Sequence, residues 1–185
     1  MLDAPPTMVA EIIRGALHLQ PRPAMPHAFA GSALGVKIGG PFHFDESGPG
    51  GWWIVDEPEL HLGDEVVVPD LAGWRRERMP RFPKGAYVTL TPDWVCEILS
   101  PSTRRLDVGP KRAMYREHGV GWLWLVDPDA RTLEAFALRD GAWVEIGTLT
   151  DADEVRMPPF DAISFPLSAL WPDADDADAD EPADP

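Results

Sequence analysis

The chain has 185 residues, 44% of them hydrophobic, with eight Trp and seven Phe, which is enough for one globular domain with a sizeable core. Its single cysteine, Cys96, excludes an internal disulfide and the usual structural zinc sites, and fits a reducing, cytoplasmic setting. A formal net charge of −15 counts against a broadly basic nucleic-acid-binding surface. Much of that charge is local. Residues 172–185, PDADDADADEPADP, hold six Asp, one Glu and no base, so that removing these seven charges leaves −8 on residues 1–171. The composition divides the chain into one domain over 1–171 and a solvated acidic tail over 172–185.

The amino-terminal segment MLDAPPTMVAEIIRGALHL has no basic region and no continuous apolar block, so it does not read as a secretory signal. No apolar run approaches bilayer length, and no membrane is expected among the partners. MVAEIIRGALHLQP reads either as two short strands meeting at Arg14-Gly15 or as an irregular helix. HAFAGSALGVKIGG has small and apolar residues at helical spacing and ends at a glycine pair, as a helix would. GGWWIVDEPEL and DEVVVPDLAGW are each expected to form a strand, and residues 75–93 a polar, proline-broken connection carrying Arg75, Arg76, Arg78, Arg81 and Lys84. WVCEIL is a nearly all-apolar run and so a buried central strand. SPSTRRLD reads as a loop whose Asp107 caps a helix over VGPKRAMYREHG, with Pro110 in its first turn and Gly119 at its end. Residues 121–148 read as a three-stranded meander, and PLSALW as a short closing helix. Strands with flanking helices make this an α/β (α+β) domain on one mixed central sheet.

Two carboxylates and an ammonium stand out against this background. Asp70 follows the apolar run VVVP, Glu97 lies inside WVCEIL, and Lys111 follows one turn-rich segment later. A buried carboxylate without a partner is costly, so Glu97 requires a cation, a solvent-facing strand or a partner such as Arg104. On a helix, Asp107, Lys111 and Tyr115 share one face; an ordinary Asp107–Lys111 surface salt bridge and a packing role for Tyr115 are the plainer readings. Asp70 and Glu97 on neighbouring strands could hold a hard divalent ion, and Lys111 could lower the pKa of an attacking water. Asp56, Glu57 and Glu59 read as a charged turn. His43, His61 and His118 lack zinc-ligand spacing, and Gly48, Gly50 and Gly51 do not form a phosphate-cradling loop.

PDLAGWRRER, followed by EILSPST, the Asp107–Lys111 pair, Tyr115, Gly119 and WLVDP, resembles the Uma-type family of "putative restriction endonucleases", once a domain of unknown function, within the PD-(D/E)XK nuclease superfamily. The likeness spans roughly residues 8–170. It implies a restriction-endonuclease-like mixed sheet flanked by helices, Mg²⁺ at the sheet edge with Mn²⁺ as a substitute, and hydrolysis of phosphodiester bonds in DNA. By position, Pro69-Asp70 matches the first motif and Glu97 its second acid. The carbonyl of Ile98 then becomes a further metal ligand, and Glu11 a candidate ligand through water, with a solvent-facing strand residue as the equal alternative. The chain departs from the superfamily at Leu99, where a lysine is the rule; Lys111 stands as its relocated substitute. His27 falls at a position that is often histidine in the family, although a helix-cap or surface role is the plainer reading. Arg75, Arg76, Arg78, Arg104 and Arg105 are candidate phosphate contacts, and a homodimer would suit cutting of two strands. Two other readings stay open: a catalytically silent binding protein that keeps the fold, favoured by the acidic charge, and a hydrolase of small phosphorylated substrates.

Overall fold

The structure is a computed structural model describing residues 7–151 and 153–172; from residue 173 on, the expected acidic tail lies outside the described residues. The amino-terminal segment forms a hairpin of β1 (Met8–Ile13) and β2 (Ala16–Pro21). Arg14 and Gly15 both take left-handed backbone, φ 54° and 73°, the pair of positive angles that a tight two-residue hairpin turn requires. β1 pairs on its other side with β5 (Glu65–Val67), which pairs with β4 (Leu60–Leu62). This four-stranded sheet, in order β2-β1-β5-β4, adds a second layer to the one central sheet read from the sequence.

The main sheet has six strands in the order β10-β9-β8-β7-β6-β3. They are β3 (Trp52–Asp56), β6 (Leu71–Arg75), β7 (Trp94–Ile98), β8 (Trp122–Asp127), β9 (Thr132–Arg139) and β10 (Ala142–Thr150). β7 and β8 run parallel and every other neighbour is antiparallel, so the sheet is mixed, as expected. A parallel pair needs a crossover. Here α2 (Arg104–Leu106), a π-helical turn (Asp107–Lys111) and α3 (Arg112–Glu117) run on as one helical segment and supply it. The meander over β8, β9 and β10 stands where the sequence placed it. A ribbon of β11 (Glu154–Val155) and β12 (Phe165–Pro166) leads to the closing helical turn, Leu167–Leu170.

Alternation along β7 divides the core in two. Trp94, Cys96 and Ile98 face one cluster, where Ala30, Leu34 and Ile38 of α1 (Met25–Ile38) pack at four-residue spacing. Val95 faces the other, beneath Met114 and Tyr115 of α3 and Ile13 of the hairpin. Glu97, two residues after Val95, therefore points into the layer between the main sheet, the hairpin and the crossover.

Two expectations are corrected. DEVVVPDLAGW is two strands in two different sheets, because Pro69 has no amide hydrogen for a ladder and the chain changes sheets at Val68-Pro69-Asp70. Asp107 does not cap the helix: the helical run begins at Arg104, with Thr103 in the capping position. Pro110 lies inside the helical run, where a π-type turn accommodates its missing amide hydrogen.

Candidate active site

β6 and β7 pair with Leu71 opposite Cys96, so the residue before Leu71 falls beside the residue after Cys96. That register sets Asp70 next to Glu97, and the Ile98 amide donates to Asp70 Oδ2 at 2.6 Å. The parallel crossover then lays the face of Asp107, Lys111 and Tyr115 over Glu97. Lys111 Nζ lies 2.8 Å from Glu97 Oε1, 3.1 Å from Glu11 Oε1 and 3.5 Å from Asp107 Oδ1. Tyr115 donates its hydroxyl to the same Glu97 oxygen. Glu11, from the hairpin, also accepts from the Val68 amide at 2.9 Å and from the Gln20 side-chain amide.

All four charged residues at the floor are almost wholly removed from solvent: Glu11 is 1% exposed, Glu97 and Lys111 2% and Asp107 3%. The plainer readings therefore fail, save the packing role of Tyr115, which is buried in the core. The Asp107–Lys111 pair is not on the surface, Glu97 is not solvent-facing, and Glu11 is not an exposed strand residue. His27, at the start of α1, is neither a surface group nor a cap; its Nε2 lies 3.2 Å from Asp70 Oδ1.

Burial pushes the Glu97 carboxyl well above its ordinary range, with Lys111 opposing the shift and the neighbouring acids reinforcing it. Asp107 is raised for the same reason, against Lys111 and the Thr103 hydroxyl. Burial works to lower Lys111, yet Glu97, Tyr115, Glu11 and Asp107 outweigh it and hold the ammonium well above its ordinary value. His27 is raised too: burial works to lower it, but its hydrogen bond to Asp70, the charges of Asp70 and Asp107 and a bond to the Ile98 backbone together outweigh burial.

These side chains line one cavity of about 300 Å³. Its floor is Glu11, Glu97, Asp107 and Lys111, with Asp70 and His27 on the wall. Its rim is the segment Gln20–Ala24 together with Glu57 and the turn Ser100–Thr103, and Arg22 pairs with Glu57 across the opening at 3.6 Å. Four carboxylates against one ammonium leave a formal excess of negative charge. All the acidic donors are hard oxygens, the kind of ligand Mg²⁺ takes. Lys111 and Tyr115 both engage Glu97 Oε1, which leaves Oε2 for a cation. In type and charge the donor set therefore fits a divalent ion, although among the described residues no three acidic or histidine side chains already converge on one point.

The predicted trio of Asp70, Glu97 and Lys111 is thus brought together, with Glu11 beside it. Four of the predicted arginines are elsewhere. Arg75 lies at the far end of β6, with its guanidinium over the rings of Trp52 and Trp122. Arg76 packs over Trp53 and donates to the Trp52 and His43 carbonyls. Arg78 pairs with Asp93 at 2.8 Å, and Arg104 with Asp127. Arg105 is exposed, two residues along the chain from the Ser100–Thr103 turn, and does not line the cavity. Arg22, Gln20 and the hydroxyls of Ser100, Ser102 and Thr103 escaped the sequence reading. Only the serine-rich turn, inside EILSPST, carried a signal that could have found them.

The chain matches, over residues 2–168, the Uma2 family, whose description is "Putative restriction endonuclease". The chain belongs to the Uma2 family. Among solved structures, this Uma2 chain is similar to the crystal structure of a putative nuclease belonging to DUF820 from Anabaena variabilis ATCC 29413. The TM-score is 0.71 at 24% identity, covering 87% of this chain and 88% of that one. At that identity the likeness bears on the fold. No curated protein matches the chain. Among the described residues no helix is long and apolar enough to cross a membrane.

Proposed function

We propose that this Uma2 chain is a Mg²⁺-dependent nuclease that hydrolyses phosphodiester bonds in DNA. The observation that carries the reading is the convergence of Asp70, Glu97 and Lys111, from two strands and a crossover helix, on one acidic cavity. Asp70, Glu97 and the Ile98 carbonyl would hold the ion. Such an ion, when bound, polarises the phosphate and lowers the pKa of a water.

The remaining work falls to the chain itself. Lys111 is fixed between carboxylates as a buried ammonium, suited to balancing charge that grows on the phosphate oxygens as water attacks. The new bond forms between the water oxygen and phosphorus, and one ester P–O bond breaks. The water gives up a proton and the departing oxygen gains one. Tyr115 and Glu11 hold Glu97 and Lys111 in place, and His27 holds Asp70.

Purified protein with Mg²⁺ or Mn²⁺ is expected to cut DNA, and Asp70→Asn to reduce the rate at least about a hundredfold while leaving the thermal midpoint within a few degrees. Equal rates for wild type and variant would remove the nuclease reading. Calorimetric Mg²⁺ binding without any cleavage would instead favour a silent binding protein with the same cavity.

A further inference from the structure

We propose that the site acts on single-stranded segments or ends of nucleic acid, one phosphate entering past Arg22, and not on the interior of a duplex. The inference rests on the phosphodiesterase reading above and narrows its substrate. Three observations carry it.

The first is depth. The floor groups Glu11, Glu97, Asp107 and Lys111 are 1–3% exposed, so a phosphate reaches them only by descending into the cavity. At about 300 Å³ that cavity is at the lower end of clefts that take one small ligand. The second is the rim. Its two sides, the end of β2 with the residues that follow it and the Ser100–Thr103 turn, contain Pro21, Pro23 and Pro101, whose fixed φ angles stiffen the opening.

The third is the placement of positive charge. All sixteen Lys and Arg fall within the described residues, since 1–6, 152 and 173–185 contain none. Only Arg22 and Lys111 line the cavity. Arg75 and Arg76 lie five and six residues along the chain from Asp70, roughly 16–20 Å at about 3.3 Å per strand residue. Arg104 is tied to Asp127 and Arg14 and Arg116 share Glu117, whereas Arg22 is held at the mouth by Glu57 at 3.6 Å. Arg105 is exposed two residues beyond the Ser100–Thr103 turn but does not line the cavity. A duplex-binding protein that contacts about 6–10 phosphates neutralises them with Lys and Arg. Two cations in an acidic setting suit one or two phosphates of a strand flexible enough to bend its backbone inward.

The test compares a labelled single-stranded DNA oligonucleotide with the same strand annealed to its complement, in Mg²⁺ or Mn²⁺. Bis(p-nitrophenyl) phosphate serves as a small diester control and Asp70→Asn as the blank. The single strand is expected to be cut at least about tenfold faster than the duplex. The logarithm of kcat/KM should fall against log salt with a slope of about −0.7 to −1.4, as one or two phosphate contacts on a single strand predict. Arg22→Gln should reduce the magnitude of that slope by about 0.7. Duplex cleavage at an equal or greater rate, or a slope steeper than about −4, overturns the inference and leaves the nuclease reading standing. Hydrolysis of the small diester without cleavage of either oligonucleotide also overturns it. No hydrolysis of any of the three substrates removes the phosphodiesterase reading itself, and this inference with it.

Discussion

Lys111 and Tyr115 meet on one oxygen of Glu97, and that convergence sets what single substitutions do here. Tyr115→Phe removes one hydrogen bond to a buried carboxylate, a loss of about 1.5–3 kcal/mol in denaturant unfolding. A change near zero would mean the hydroxyl is not engaged with Glu97. Lys111→Met takes away the counter-charge of three carboxylates and should cost about 3–5 kcal/mol, with the proposed nuclease activity abolished. Adding Glu97→Gln to that variant should recover part of the stability without the activity, because one orphaned charge is then gone. Strict additivity of the two changes would contradict the direct contact. Glu97 was legible in the sequence because an acid inside an apolar strand must have a partner. Which partner it takes was not, since Arg104 stood as a candidate and instead pairs with Asp127.

At the scale of elements, β6 is the strand that aligns the two acids, and its glycine marks how closely it is packed. A Cβ at Gly73 would lie 3.1 Å from Ile54 Cδ1, 3.2 Å from Trp94 and 3.3 Å from Trp52. Gly73→Ala should therefore cost about 1–3 kcal/mol, read from the shift of the urea midpoint. An unchanged midpoint would show that these rings give way freely. Strand alternation and the four-residue spacing of α1 were readable, as were the meander and the closing turn. The start of the crossover helix was not. Asp107 followed by Pro110 imitates a capped first turn, yet the helix begins four residues earlier, at Arg104, and takes the proline into a π-type turn. The change of sheets at Pro69 also escaped, because apolar residues on both sides of it satisfy a single strand equally well.

Over the whole molecule, the buried acids tie stability to pH. Glu97 and Asp107 have folded-state pKa values above their ordinary 4.5 and 3.8. Their contribution to stability is thus fully present below those ordinary values and is lost as pH rises through the raised ones. Lys111, raised above 10.5, keeps its contribution throughout that interval and loses it only at strongly alkaline pH. A divalent ion that binds the ionised acids should then raise the melting midpoint more at pH 7.5 than at pH 4.5. The gain is about 2.7 kcal/mol when the ion is at a hundred times its Kd. Differential scanning calorimetry with and without Mg²⁺ checks this, and equal gains at both pH values would show that the ion binds elsewhere.

By itself the sequence determined the local rules: which face of each strand is apolar, that Glu97 must be paired, and that the mixed α+β architecture follows from the order of strands and helices. Only the tertiary structure decided that Glu11 crosses from a second sheet to share Lys111. It also decided that the guanidinium at the cavity mouth is Arg22 and not Arg75 or Arg76. Periodicity reports which way a side chain points within its own element, whereas partnership across sheets depends on strand register and crossover, and neither leaves a local trace in the chain.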